Sequence, residues 1–165
     1  MKVTLILSVI LMAALFLLLW AAVGFIQDRR FFSTAPKDIQ QAVKEHKERF
    51  PGQKMVGWRM AVVAMLMFVL SFLYGGYDGV RNGFGFWQFF RRFLIMLYLL
   101  KAFDIIFFDW YLLTVSHFFQ HYYPETEGCE GYHSFGFNWK GQLFRIVLFP
   151  FVAALLGWIC TLFVK

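Results

Sequence analysis

Charge is scarce in this chain: Asp, Glu, Lys and Arg make up 16% of its 165 residues, against about a quarter in a soluble domain. Cysteine and proline are rarer still, with two and four residues. So little charge excludes an ordinary soluble globule. The two cysteines, Cys129 and Cys160, form no C-x-x-C pair, which excludes a disulfide scaffold and thiol-pair redox chemistry. One falls near a helix boundary and the other deep in an apolar run, so two free thiols are expected. No G-x-S-x-G elbow, P-loop or dinucleotide fingerprint occurs, and the chemistries those motifs carry lose their sequence support.

Apolar and aromatic residues fill the space that charge leaves, at 60% and 22% of the chain. Uncharged runs extend from Val3 to Gln27, from Met60 to Tyr77 and from Ile146 to Val164. Each matches a hydrocarbon core that takes about 20 apolar residues in a helix. The first run is too long for a signal-peptide core of about 7 to 15 residues, and "QDRR" follows it, so it reads as a retained helix. The sequence predicts a single all-α transmembrane domain: a bundle of four helices over 3–26, 56–74, 87–118 and 143–164, with one short interfacial amphipathic helix over 35–50.

The net charge of +6 bears on orientation and not on nucleic acid. Seven Lys or Arg lie within residues 28–54, and the positive-inside rule places that segment in the cytoplasm. Residues 27–55 and 119–142 are then cytoplasmic, both termini lie outside, and the expected location is the cell inner membrane. In the first loop, Ser33 or Thr34 is placed to cap the interfacial helix. Ile39, Val43 and Phe50 fall on roughly one face, with Lys37, Lys44, Lys47 and Arg49 around them, as suits anionic headgroups. His46 is expected on the exposed side.

The stretch 87–118 is unusual. As one α-helix it would measure about 48 Å against a core of about 30 Å, so it tilts, overhangs or breaks. Arg91 and Arg92 are expected at the headgroup level, with Arg59 and Arg145 as further anionic-lipid contacts. Lys101, Asp104 and Asp109 fall in the lipid-crossing part, where each charge costs at least about 2.5–3.5 kcal/mol at the helix centre. Lys101 and Asp104, three apart, can neutralise each other, and Asp109 is expected to pair with Arg59 or Arg145. Ser116 and Gln120 extend this intramembrane polar cluster.

Beyond it lies "HFFQHYYPETEGCEGYH". His117 and His121 are spaced i, i+4, as a helix presents two ligands to a divalent metal. Glu125, Glu127, Cys129, Glu130 or His133 can complete such a site. No Glu follows the first His, so this is not the zincin box. A metal-free acid–base site of His117, His121 and Glu125 is the alternative chemistry. The plain alternative is a polar helix-to-loop boundary.

Two functions follow. The first is a non-enzymatic, transporter-like or accessory membrane component built on the buried polar cluster. The second is an inner-leaflet enzyme acting on a lipid or other amphipathic substrate, with or without a metal. The expected partners are anionic lipids, and small size favours a homo-oligomer or a larger membrane complex.

Overall fold

A computed structural model describes residues 1–32, 35–136 and 138–164; the Ser33 or Thr34 cap lies outside the described residues. The protein is all-helical, with no strand among the described residues. Helix α1 (Lys2–Trp20) runs into a π-helical turn, Ala21–Ile26, that ends at Gln27 in the left-handed region. Then come α2 (Lys37–Ala42), α3 (Gln53–Arg81) and α4 (Phe86–Phe103), a π-helix over Asp104–Val115, α5 (Phe118–Tyr122) and α6 (Trp139–Thr161).

Three helical spans are long and apolar enough to cross a membrane: Lys2–Ile26, Gln53–Arg81 and Trp139–Thr161. Helix α4 is not among them, since its 18 residues include Arg91, Arg92 and Lys101. Pro150 lies inside α6 without ending it. The outward faces are apolar: Val62, Leu66, Val69 and Leu73 of α3 and Phe144, Val147, Phe151 and Leu155 of α6 are all exposed. Inside, Ser8 and Ser71 are buried and return their hydroxyls to the carbonyls of Thr4 (2.9 Å) and Met67 (2.7 Å). An apolar exterior over self-satisfied polar groups is the arrangement a lipid solvent requires.

The chain gathers into two compact units, the first comprising Met1–Ala14, Met65–Phe103 and Lys140–Lys165. Its core joins Leu7 and Leu11 of α1 to Phe89, Phe93, Met96 and Leu97 of α4 and Ala153 of α6. Gly79 of α3 admits the Phe89 ring; a Cβ there would lie 2.2 Å from Phe89 Cε1. Arg92, expected at the headgroup level, is enclosed by protein. It is buried, donating to the Gly75 carbonyl at 2.6 Å and to Asp78 at 2.7 Å, with its guanidinium 4.5 Å from the centre of the Phe84 ring. The turn after α3 folds α4 back beside Asp78; these partners take the two Nη atoms of the buried guanidinium, while Nε is buried without a hydrogen-bond partner.

The second unit comprises Leu15–Ala64 and Asp104–Trp139. Its core is Val23, Phe32, Ile39, Val43, Tyr123 and Tyr132. The helix foreseen over 35–50 covers only Lys37–Ala42, and Val43 leaves it with an extended backbone. The reason is packing: Ile39 and Val43 turn into this core and not onto an outer face, while the Lys44 N–H leaves the helical ladder for the Glu125 carboxylate at 3.0 Å.

A buried amide closes the unit. Gln53 Nε2 donates to the Phe25 carbonyl (3.0 Å) and lies 3.4 Å from that of Gly24 and 3.3 Å from Gln27 Oε1. These carbonyls end a helix and have no partner within it, so Gln53 satisfies groups that would otherwise be buried unpaired.

Candidate functional site

The stretch read as one overlong helix is α-helical to Phe103 and π-helical from Asp104 to Val115. Ser116 N donates to the Tyr111 carbonyl at 2.8 Å, the i→i+5 bond of a π-helix. This register has a direct consequence for Asp104 and Asp109. In an α-helix at 3.6 residues per turn, five residues place two side chains about 140° apart. With i→i+5 bonding, the fifth residue returns close above the first. Asp104, Phe108, Asp109 and Leu113 accordingly line one cavity of about 180 Å³. Its remaining walls come from Leu19 of α1, Ala35, Pro36, Ile39 of α2, Phe119 of α5 and the aromatic residues Phe31, Phe32 and Tyr132. Phe119 sits between Phe32 (6.3 Å, edge-on) and Tyr132 (6.5 Å, stacked), so three rings form a continuous wall.

Ser116 and Gln120 take local roles. Ser116 Oγ donates to the Leu112 carbonyl at 3.0 Å and accepts from Phe118 N at 3.3 Å, joining the π-helix to α5. Gln120 Oε1 is buried with no hydrogen-bond partner. Lys101 is buried within the first unit.

The histidine spacing is realised in the backbone, since His121 N donates to the His117 carbonyl at 2.9 Å. Both residues are exposed, as are Glu127, Glu130 and His133. Among the described residues, no group of three or more His, Cys, Asp or Glu is arranged to hold a metal ion. Glu125 turns away to His46, whose Nε2 lies 2.9 Å from Glu125 Oε1. Arg59, Arg91 and Arg145 are exposed, and the Arg59 guanidinium lies 3.8 Å from Met55 Sδ.

His46 is the residue that sequence reasoning missed. Rather than facing solvent, it is half-buried, pairs with Glu125 and lies 5.2 Å from the Tyr123 ring. Tyr123 is fully buried, its hydroxyl has no hydrogen-bond partner, and its phenol pKa is raised, first by burial and then by the Glu125 and Asp28 carboxylates. Burial alone would raise the Glu125 pKa. The Lys44 N–H and His46 outweigh it and hold the carboxyl below its ordinary 4.5.

Because the folded pKa is depressed, the stability Glu125 contributes is complete above the unfolded pKa and is lost as pH falls through the folded one. Replacing Glu125 by Ala strands the Lys44 N–H and the His46 ring. The expected cost is about 1–2 kcal/mol near neutral pH, shrinking towards zero in acid. Urea unfolding of the second unit, followed by proteolysis at several pH values, checks both size and direction.

Comparison with known protein families, curated proteins and solved structures finds no match to this chain.

Proposed function

We propose that this chain is a four-helix integral protein of the cell inner membrane, acting as a non-enzymatic, transporter-like or accessory component centred on Asp104 and Asp109. In this reading α4 and the π-helix after it make a fourth crossing, which supplies the polar lining that the three apolar helices lack. The basic segment 28–54 lies on the cytoplasmic side against anionic lipid, both termini lie outside, and residues 119–142 form the second cytoplasmic loop.

The observation that carries the reading is the cavity of about 180 Å³ to which a π-helix brings two carboxylates. π-Helical turns are rare and, as bulges inside α-helices, are found frequently at functional sites, and ionisable groups within a membrane segment mark ion or substrate paths. The His117, His121 and Glu125 alternative, an inner-leaflet enzyme, draws less support, since Glu125 is engaged by His46 and Lys44 while both histidines are exposed.

Reconstitution into liposomes tests the proposal. Asp109→Asn and Asp104→Asn are each expected to cut proton or cation flux about tenfold or more, equivalent to about 1.4 kcal/mol, without lowering the melting temperature. Unchanged flux in both variants would sink the transport reading. Loss of thermal stability alone would assign the carboxylates to a structural tie.

A further inference from the structure

Within the first unit, α3 and α6 leave a groove of about 630 Å³ between them, to which α4 contributes Phe93. It is deepest at Gly76, which is buried; a Cβ there would lie 3.0 Å from Cys160 Sγ of α6. Leu73 and Tyr77 on one rim and Ile159 and Phe163 on the other are exposed, so the groove opens onto the apolar outer surface. Its side-chain polar groups are the Tyr77 hydroxyl and the Cys160 thiol, and every other lining residue is hydrocarbon or glycine.

That lining excludes most occupants. An ion would find no ligand set, and an extended peptide would bury backbone N–H and C=O groups without partners, at a cost of several kcal/mol for each in an apolar medium by rough estimate. Length separates the two apolar occupants that remain, a helix and a lipid tail. From Tyr77 down to Phe68 the α3 side of the groove runs about 14 Å at the rise of an α-helix. Half of a hydrocarbon core is about 15 Å. The groove is therefore one leaflet deep, whereas a helix about 10–12 Å across would need a seat along the whole core. Volume agrees with a tail. A cavity of about 150 Å³ takes benzene, so by proportion this one takes about 25 carbon atoms, one long acyl chain and part of a second.

Charge at the mouth names the rest of the molecule. Arg81 stands in the last turn of α3, exposed, and four residues beyond Tyr77 on the same helix face. Arg81 makes no ion pair among the described residues, and the neighbouring Asp78 is engaged by Arg92 at 2.7 Å. An exposed guanidinium one turn above an acyl-sized groove suits a phosphate, which it can bind through two parallel N–H groups.

We infer that the groove between α3 and α6 holds an acyl chain of a phospholipid, with the headgroup phosphate on Arg81. The inference rests on α3 and α6 crossing the membrane, as in the proposed reading, and is independent of transport through Asp104 and Asp109. The bound lipid belongs to the leaflet at the C-terminal ends of both helices, and it fills a defect in packing that the bundle leaves open.

Native mass spectrometry of the full-length protein in a non-ionic detergent, titrated with a long-chain phosphatidylglycerol, tests the inference. One lipid is expected to bind more tightly than those that follow. Diacylglycerol with the same chains, which lacks the phosphate, should bind about fivefold more weakly. Phosphatidylglycerol with short chains should bind at least about tenfold more weakly, since each buried methylene contributes. Ile159→Trp, which fills the groove from its rim, should weaken the first lipid about tenfold, and Arg81→Gln about three- to fivefold. Phe151→Trp adds the same bulk to an exposed α6 position outside the groove and should leave binding unchanged.

Several lipids bound with one affinity, indifferent to Ile159→Trp and Arg81→Gln, would mean an annular shell only and overturn the inference. So would short chains binding as tightly as long ones, diacylglycerol binding as tightly as phosphatidylglycerol, or displacement by glycerophosphoglycerol, a headgroup without chains, at the same concentration. A lipid-free dimer that Ile159→Trp separates would assign the groove to a second copy instead. The chain-length and phosphate comparisons use the unsubstituted chain, so a variant that fails to fold leaves the test intact. Flux without a tightly held lipid defeats this inference alone, and a tightly held lipid without flux defeats the transport reading alone. A chain that stays in solution without detergent defeats the membrane reading and this inference together.

Discussion

Replacing Arg92 by Met is expected to destabilise the first unit by about 3–5 kcal/mol. The guanidinium is almost fully buried and makes two charge-assisted contacts, with the Gly75 carbonyl at 2.6 Å and with Asp78 at 2.7 Å. Methionine fills a similar volume and suits an apolar core, so the cost lies in the partners left behind. Asp78, whose side chain is only 18% exposed, would become an unpaired carboxylate. The Gly75 carbonyl would lose the N–H donor that Arg92 supplies. Asp78→Asn should be comparably costly from the other direction, because it strands the buried cation. The double variant Arg92→Met/Asp78→Asn should recover most of the loss, since removing both charges removes the desolvation burden together with the attraction. Arg92→Lys should not rescue, because one ammonium cannot reproduce the planar fork that reaches both partners. Thermal unfolding in micelles, arranged as a double-mutant cycle, measures all four states. An Arg92→Met protein as stable as the parent would show that the pair makes no net contribution.

The same residue shows what the sequence can and cannot disclose. Long apolar runs depend on local composition, so the spans at Lys2–Ile26, Gln53–Arg81 and Trp139–Thr161 follow the runs that predict them. The third stretch is legible as too long for one crossing, but its π-register is not. The choice between i→i+4 and i→i+5 bonding belongs to the backbone in its packed setting, and bulky residues such as Ile105, Phe107 and Trp110 are compatible with either. Only the observed register brings Asp104 and Asp109 to one cavity; α-helical geometry sets them on different faces. Arg92 offered a partial signal. Asp78 and three glycines, Gly75, Gly76 and Gly79, precede it across a tight turn, a pattern suited to a close helix pair with an internal counter-ion. His46 and Glu125 offered none, because they meet across 79 residues of chain and no periodicity links such positions. The short α2 illustrates a third limit. An amphipathic pattern at 35–50 specifies that one face is covered, but not whether lipid or the protein's own core covers it, and here Phe32, Tyr123 and Tyr132 do so.

Gly57→Ala should cost about 1–2 kcal/mol, and Gly57→Leu more than about 3 kcal/mol, by forcing α3 away from the end of the first span. Alanine is favoured over glycine inside a helix by about 1 kcal/mol, so the sign depends on the space at this position. A Cβ on Gly57 would lie 2.7 Å from Ile26 Cγ1, 2.8 Å from Phe25 Cβ and 3.1 Å from Ile26 N. Two of these three atoms are fixed to the backbone and cannot rotate away. That backbone is itself held, since Gln53 binds the Phe25 carbonyl at 3.0 Å and Gln27 closes the π-helical turn at a φ of 53°. At contacts this short, overpacking falls in the upper part of its usual range, about 2–3 kcal/mol, and exceeds the helix-propensity gain. Gly85→Ala is the matched control, because nothing lies within 4 Å of its Cβ position and its backbone is not left-handed; a change within about 0.5 kcal/mol is expected there. Displacement of the first span's end should also stretch the hydrogen bond that Trp20 Nε1 donates to Tyr122 Oη at 3.0 Å. Tryptophan emission is therefore expected to shift in Gly57→Leu and stay unchanged in Gly85→Ala. A stabilising Gly57→Ala would mean that Phe25 and Ile26 yield more readily than their anchoring by Gln53 implies, and Gln53→Leu in the same background would then cost little.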